Sequence, residues 1–199
     1  VAVIHRAANH HHVVAVDANV LVAWQGGAAV GWKKARHFGD ALGVHLVVAA
    51  DVARQYGVAG VQHALTFLRT AFLDPATGGY AWLIDWQDGR ATTQDATRHC
   101  YGMAFVMLAY AHAAMCGIDE ARGWLAETFE VAEKRFWEPL VGLYADEATV
   151  DWVLSPYRGQ NANMHACEAM LAAFAATGEA RYIERAETLA EAITRRQAA

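Results

Sequence analysis

The sequence predicts an all-α protein whose helices alternate between the inner and outer layers of a closed ring, with about half of a six-hairpin (α/α)6 barrel present. Three observations carry this. Pro is confined to Pro75, Pro139 and Pro156 while Ala is abundant, a helical composition, since Pro costs about 3 kcal/mol in a helix interior and Ala is the best helix former. The segment Phe72-Leu73-Asp74-Pro75-Ala76-Thr77-Gly78-Gly79-Tyr80-Ala81 recurs 64 positions later as Phe136-Trp137-Glu138-Pro139-Leu140-Val141-Gly142-Leu143-Tyr144-Ala145. The helical stretches around the two copies alternate between amphipathic and apolar on all sides.

In chain order, the first 57 residues fit this scheme poorly. Glu is absent before Glu120 and then occurs eleven times, whereas a helical protein scatters Glu over all its solvent faces. Residues 1–199 are therefore read as one partial barrel domain, with 1–57 a poorly matching part and 58–199 the part that carries the repeats. Between the two copies, Ala104 to Ala111 is apolar nearly all round, which predicts an inner helix. Asp119 to Arg135 sets Trp124, Leu125, Thr128, Phe129 and Ala132 at helical spacing against Glu120, Glu127, Glu130, Glu133 and Lys134, which predicts a half-solvated outer helix. After the second copy, Ala162 to Ala176 reads as the next inner helix, and Ala180 to Arg196 as the next outer one.

Helical pairs of this kind bury their apolar faces against neighbouring pairs, and three such units fill 199 residues. The chain, which begins at Val1 rather than Met, thus reads as the N-terminal half of a protein about twice its length. Self-association as a homodimer through the open edge, or poor solubility, is expected. The long connections, Asp74 to Arg98 and Glu138 to Gln160, both lead from an outer to an inner helix. They emerge at one end of the ring, which is where a site is expected.

Composition narrows the function classes. A formal charge of −5 with 16 Lys+Arg against 21 Asp+Glu, and a single small basic cluster at Lys33-Lys34-Arg36, argue against a nucleic-acid partner. The longest apolar run, Gly102 to Gly117, is interrupted by His112 and too short to span a membrane. Cys100, Cys116 and Cys167 are odd in number and form no CxxC pair, so neither a disulfide framework nor a structural metal site is expected. With no secretion signal, a reducing, cytoplasmic setting fits. His10-His11-His12 has no carboxylate or Cys at ligand spacing, so no metal site is assigned there.

The densest polar constellation follows the second copy: Asp146, Glu147, Asp151 and Trp152, then Tyr157-Arg158-Gly159-Gln160-Asn161-Ala162-Asn163-Met164-His165-Ala166-Cys167-Glu168. Asn161 or Asn163 is expected to cap the inner helix, and His165 and Glu168, three apart, to share a face. A His and a carboxylate there can bind a sugar hydroxyl or move a proton near neutral pH; equally, they can be a satisfied core pair. Tyr80, Trp82, Trp86, Tyr144, Trp152 and Tyr157 read either as sugar-stacking platforms or as plugs of the ring end. Asp85 with Asp146 or Asp151 offers an alternative, the paired carboxylates of a glycoside or unsaturated-uronyl hydrolase. A non-catalytic carbohydrate-binding half-barrel is a third reading.

The run from Tyr157 to His165 followed by Glu168-Ala169, together with Tyr101-Gly102-Met103-Ala104-Phe105, Arg135-Phe136-Trp137, Gly142-Leu143-Tyr144 and Asp151-Trp152, resembles the N-acylglucosamine 2-epimerase superfamily over about residues 60 to 196. The resemblance implies an (α/α)6 barrel acting on a monosaccharide or disaccharide by cofactor-free proton transfer next to the carbonyl of the ring-opened sugar. It implies substrate-holding roles for Asn161 and His165, with Glu168, Arg158 and Tyr101 beside them. It also makes Arg36, in Ala35-Arg36-His37-Phe38, the counterpart of an Arg that stabilises the anion. Met103 stands where some members carry His, which leaves the subfamily open. The family's principal acid/base histidines, one in a Gly-His-x-x-Glu motif, have no counterpart in these 199 residues, so this chain is expected to be the substrate-holding half.

Overall fold

A computed structural model describes the backbone of residues 4–6, 11–17, 20–25, 28–29, 45–87 and 90–197, and the side chains of 57–86 and 90–195. Near the start, β1 (Ile4–Arg6), β2 (His11–Asp17), β3 (Val20–Gln25) and β4 (Ala28–Ala29) form an antiparallel sheet in sequential order. This sheet falls in the part of the sequence that departs from the repeat. From His45 onward the long elements are helices: α1 (His45–Ala71), α2 (Cys100–Met115), α3 (Glu120–Arg135), α4 (Gln160–Thr177) and α5 (Ala180–Ala192), the last running into a π-helical turn at Ile193–Gln197. Gly57 breaks the run of α1 at φ 74° and ψ 176°, a conformation that a residue lacking Cβ adopts without steric cost.

The inner and outer roles follow the residue pattern. Most of α2 is buried, including Met103, Phe105, Met107, Leu108 and Tyr110, and it packs against α1, α3 and α4. By contrast, α3 buries one stripe, Ala121, Leu125, Thr128, Phe129 and Ala132, and keeps its acids outside. Two ion pairs join the outer helices α3 and α5: Arg181 to Glu130 at 2.7 Å, and Arg185 to both carboxylate oxygens of Glu133. Among the described residues, no helix is long and apolar enough to cross a membrane.

The 64-residue repeat is also a repeat of hydrogen bonds. Ala81 N–H donates to Phe72 C=O and Ala145 N–H to Phe136 C=O, each at 2.9 Å; Gly78 N–H donates to Asp74 C=O and Gly142 N–H to Glu138 C=O, each at 2.8 Å. Leu73 pairs with Tyr80 as Trp137 in β8 (Trp137–Glu138) pairs with Tyr144 in β9 (Leu143–Tyr144). Both turns need positive φ, 73° at Gly78 and 71° at Gly142. At Gly78 a Cβ would also lie 2.7 Å from the Val131 side chain.

The connections expected to be loops carry short strands. A hairpin of β5 (Leu83–Gln87) and β6 (Arg90–Asp95) fills the first, and β7 (Arg98–His99) at its end pairs antiparallel with β10 (Glu147–Ala148) in the second. The two connections are thus one structure. The second is tied down by Asn163, which is fully buried. Its Oδ1 accepts the Tyr144 N–H at 2.8 Å, and its Nδ2 donates to the carbonyls of Tyr144 at 3.0 Å and Gly159 at 2.9 Å.

Asn163→Ala would leave those backbone groups buried and unmatched. A loss of about 2–4 kcal/mol is expected, read as a lower urea midpoint. Asn161→Ala, at an exposed position two residues earlier, is expected to change stability by no more than about 0.5 kcal/mol.

Candidate functional site

The first turns of α4 and α2 lie side by side at the end where the long connections gather. Helix α4 begins after Gly159, whose extended backbone forms the N-cap without any side-chain cap bond. This corrects the expected capping role of Asn161 or Asn163: the Asn163 amide reaches back to β9, and Asn161 stays exposed one turn before His165. The Gly159 N–H is taken instead by the Asp146 carboxylate. A side chain at 159 would run into that carboxylate, since a Cβ would stand 2.6 Å from Oδ2.

His165 sits against two aromatic rings of α2. The Tyr101 ring meets it edge-on, with centroids 5.2 Å apart, and Phe105, one turn further, lies at 4.7 Å. Its Nδ1 is 2.9 Å from Glu168 Oε2. The His165 side chain remains 22% exposed and that of Glu168 more so, so the pair forms part of a wall rather than of the sealed core. Asn161 precedes His165 by four residues, the spacing that sets two side chains on one helix face. The structure therefore brings together Tyr101, His165 and Glu168, with Asn161 exposed one helical turn before His165. Sequence reasoning missed Phe105, although its i, i+4 relation to Tyr101 was a usable signal.

Arg158 is engaged elsewhere: Nε donates to Glu138 at 2.5 Å, and Nη1 donates to the carbonyls of Ser155 and Tyr157. That bond holds Glu138 below the usual carboxylate range. Arg36 lies outside the described residues, as does the His10-His11-His12 tract with respect to side chains. Of the acids of the hydrolase alternative, Asp85 is half-buried on β5, Asp146 accepts the Gly159 N–H at the start of α4, and Asp151 is exposed on a turn. Of the aromatic candidates, Tyr80 and Tyr144 are buried plugs. Trp82 stacks on His99 with centroids 3.9 Å apart, Trp86 packs on Phe67, and Tyr157 is 67% exposed.

At the end of the first long connection lies a buried cation that the sequence did not single out. Arg98, 3% exposed, donates to Asp74 at 2.8 Å. The Asp74 carboxyl is held low by the Thr77 hydroxyl first and by Arg98 in addition. Trp152 takes φ 65°, an unusual backbone for a bulky residue, and its ring meets the guanidiniums of Arg98 at 5.9 Å and Arg135 at 5.2 Å. Gly79 makes room for this stack: a Cβ there would fall 2.7 Å from Arg98 Nε and 2.9 Å from the Trp152 ring. Among the described residues, no three His, Cys, Asp or Glu side chains group as metal ligands would.

A family model described as N-acylglucosamine 2-epimerase matches residues 29–199. A D-mannose isomerase from Marinomonas mediterranea is 47% identical over 137 residues, which cover 68% of this chain and 34% of the relative. Among solved structures, a D-mannose isomerase matches with TM-score 0.67 and 42% identity over 82% of this chain and 41% of that one. The cellobiose 2-epimerase from Spirochaeta thermophila matches with TM-score 0.65 and 26% identity over 76% and 41%. A glycoside hydrolase family 76 mannosidase from Bacteroides thetaiotaomicron, 15% identical with TM-score 0.63 over 80% of this chain and 44% of that one, shares the fold alone. The helices are thus part of an (α/α)6 barrel, and the chain spans about a third of the length of the curated relatives it matches.

Burial lowers the pKa of His99, outweighing the pull of Glu147 at 3.5 Å. His99 is therefore neutral when folded and takes up a proton more readily when unfolded. Its contribution is intact above pH about 6.5 and is lost as pH falls through the lower folded value. His99→Phe, which keeps the stack on Trp82, is expected to flatten the fall in urea midpoint between about pH 7 and 5.

Proposed function

The chain belongs to the N-acylglucosamine 2-epimerase family, and from that premise we propose that it forms the substrate-holding part of a cofactor-independent sugar 2-epimerase or aldose–ketose isomerase, with D-mannose the favoured substrate. The observation that carries this is the Asn161–His165 face of α4, backed by Glu168 and walled by Tyr101 and Phe105. The names of the relatives at 47% and 42% identity favour D-mannose. In the reaction, a base removes the proton on the carbon beside the carbonyl of the ring-opened sugar. The electron pair passes into an ene-diolate, and the proton returns to the neighbouring carbon in an isomerase, or to the opposite face of the same carbon in an epimerase. Anion-stabilising donors in a dry site lower that barrier.

Within this scheme Asn161 offers both a donor and an acceptor to sugar hydroxyls, and His165 binds a hydroxyl through its free ring nitrogen. The Tyr101 and Phe105 rings wall one side of the imidazole. The proton-transferring base is assigned to the Gly-His-x-x-Glu motif that the family resemblance implies and that these 199 residues lack. The hydrolase alternative loses support because Asp146 is bonded to Gly159 and Asp151 is exposed.

Calorimetric titration with D-mannose is expected to give binding that His165→Ala and Asn161→Ala each weaken about tenfold, the equivalent of one good hydrogen bond. Incubation of this chain alone with D-mannose is expected to yield no ketose; clear ketose formation would place the base within these residues and overturn the assignment.

The same reading includes self-association with a second copy through the exposed side of α4. Met164, Leu171 and Phe174 are exposed there at spacings of seven and three residues, one stripe of a helix otherwise built for burial. Sedimentation velocity is expected to detect concentration-dependent association, which Leu171→Glu abolishes; a monomer at all concentrations would contradict it.

A further inference from the structure

We propose that Glu168 is a positioning residue that fixes the tautomer and orientation of His165, so that the imidazole offers Nε2 to the substrate as a hydrogen-bond acceptor. This deepens the preceding reading and rests on His165 holding substrate.

A carboxylate can only accept hydrogen bonds, so the 2.9 Å contact between Glu168 Oε2 and His165 Nδ1 requires the proton to sit on Nδ1. The neutral ring then carries its lone pair on Nε2, which has no bonding partner among the described residues. An isolated neutral histidine prefers the opposite tautomer in water, with the proton on Nε2. The contact therefore converts a ring that would meet a sugar as a donor into one that meets it as an acceptor. The aromatic neighbours hold the arrangement. A half-turn of the imidazole about its Cβ–Cγ bond would put a carbon in place of Nδ1 opposite Glu168, and the Tyr101 and Phe105 rings at 5.2 and 4.7 Å define one slot for it.

The helical register makes this local. His165 and Glu168 are i, i+3 partners on α4, a spacing at which side chains meet without help from the rest of the fold. The other titratable groups that feel the Glu168 charge are His112 on α2, which burial pulls down while Glu168 pulls it up, and Cys167, which burial and Glu168 both push up. Neither is bonded to the His165 ring. Catalytic bases are commonly oriented by a third group in this way; here the oriented ring is a binding residue.

The test is ring-nitrogen NMR of the chain at about pH 8, with the His165 signals identified by their loss in His165→Gln. Wild type and Glu168→Gln, whose amide oxygen is still an acceptor, are expected to show the proton on Nδ1. Glu168→Ala is expected to move it to Nε2. A wild-type ring protonated on Nε2, or a ring unchanged by Glu168→Ala, would overturn the proposal. D-mannose affinity is expected to fall about tenfold in Glu168→Ala and to stay near wild type in Glu168→Gln. Equal losses in the two variants would assign the effect to charge instead and likewise overturn it. If His165→Gln leaves D-mannose binding untouched, the substrate-holding reading itself fails. That outcome is distinguishable, because the nitrogen shifts report the tautomer whether or not sugar binds.

Discussion

Everything at the loop-rich end hangs on one buried amide. Asn163 satisfies both backbone groups of Tyr144 and the carbonyl of Gly159, and so joins the end of the β8–β9 hairpin to the first turn of α4. A buried side chain that matches three backbone groups replaces the water those groups would otherwise require. No other residue type of this size carries one acceptor and two donors in a single plane except its homologue Gln, whose longer stem would misplace them. The positions of Asn161 and His165 follow from this clamp, since they are counted from the same helical turn.

The repeat explains why much of the barrel was legible. The pattern of aromatic, acid, Pro, Gly and Tyr-Ala encodes a turn whose backbone bonds recur at matching distances 64 residues apart, and sequence identity there reflects a shared geometric demand. The all-round apolar character of α2 and the one-sided character of α3 likewise translate directly into inner and outer layers. Illegible were the short strands β5 to β7 and β10 inside the connections. Two-residue ladders such as Arg98-His99 with Glu147-Ala148 have no room for an alternating pattern, and their pairing depends on where the helices deliver the chain.

The site was legible in its local pairs and not in its distant ones. His165 and Glu168 share a helix face by spacing alone, and they do meet. Arg158 stands in the same motif, yet it turns toward Glu138, 20 residues back, a partner that only the fold supplies. The stack of Arg98, Trp152 and Arg135 draws on three separate segments, so no window of sequence could contain it. The Trp152 ring lies within reach of both guanidiniums and edge-on to Phe136, contacts that offset the cost of its positive φ.

The ladder between β7 and β10 has a mechanical meaning. Because residues 98–99 and 147–148 pair with one another, and Cys100 N–H at the head of α2 donates to Asp146 C=O at 2.8 Å, neither connection can swing outward while the other stays in place. Two loops separated by some fifty residues of sequence therefore share one opening free energy, and their amides belong to a single cooperative unit. The heads of the two inner helices are coupled through that unit, so whatever loosens one of them loosens the other with it.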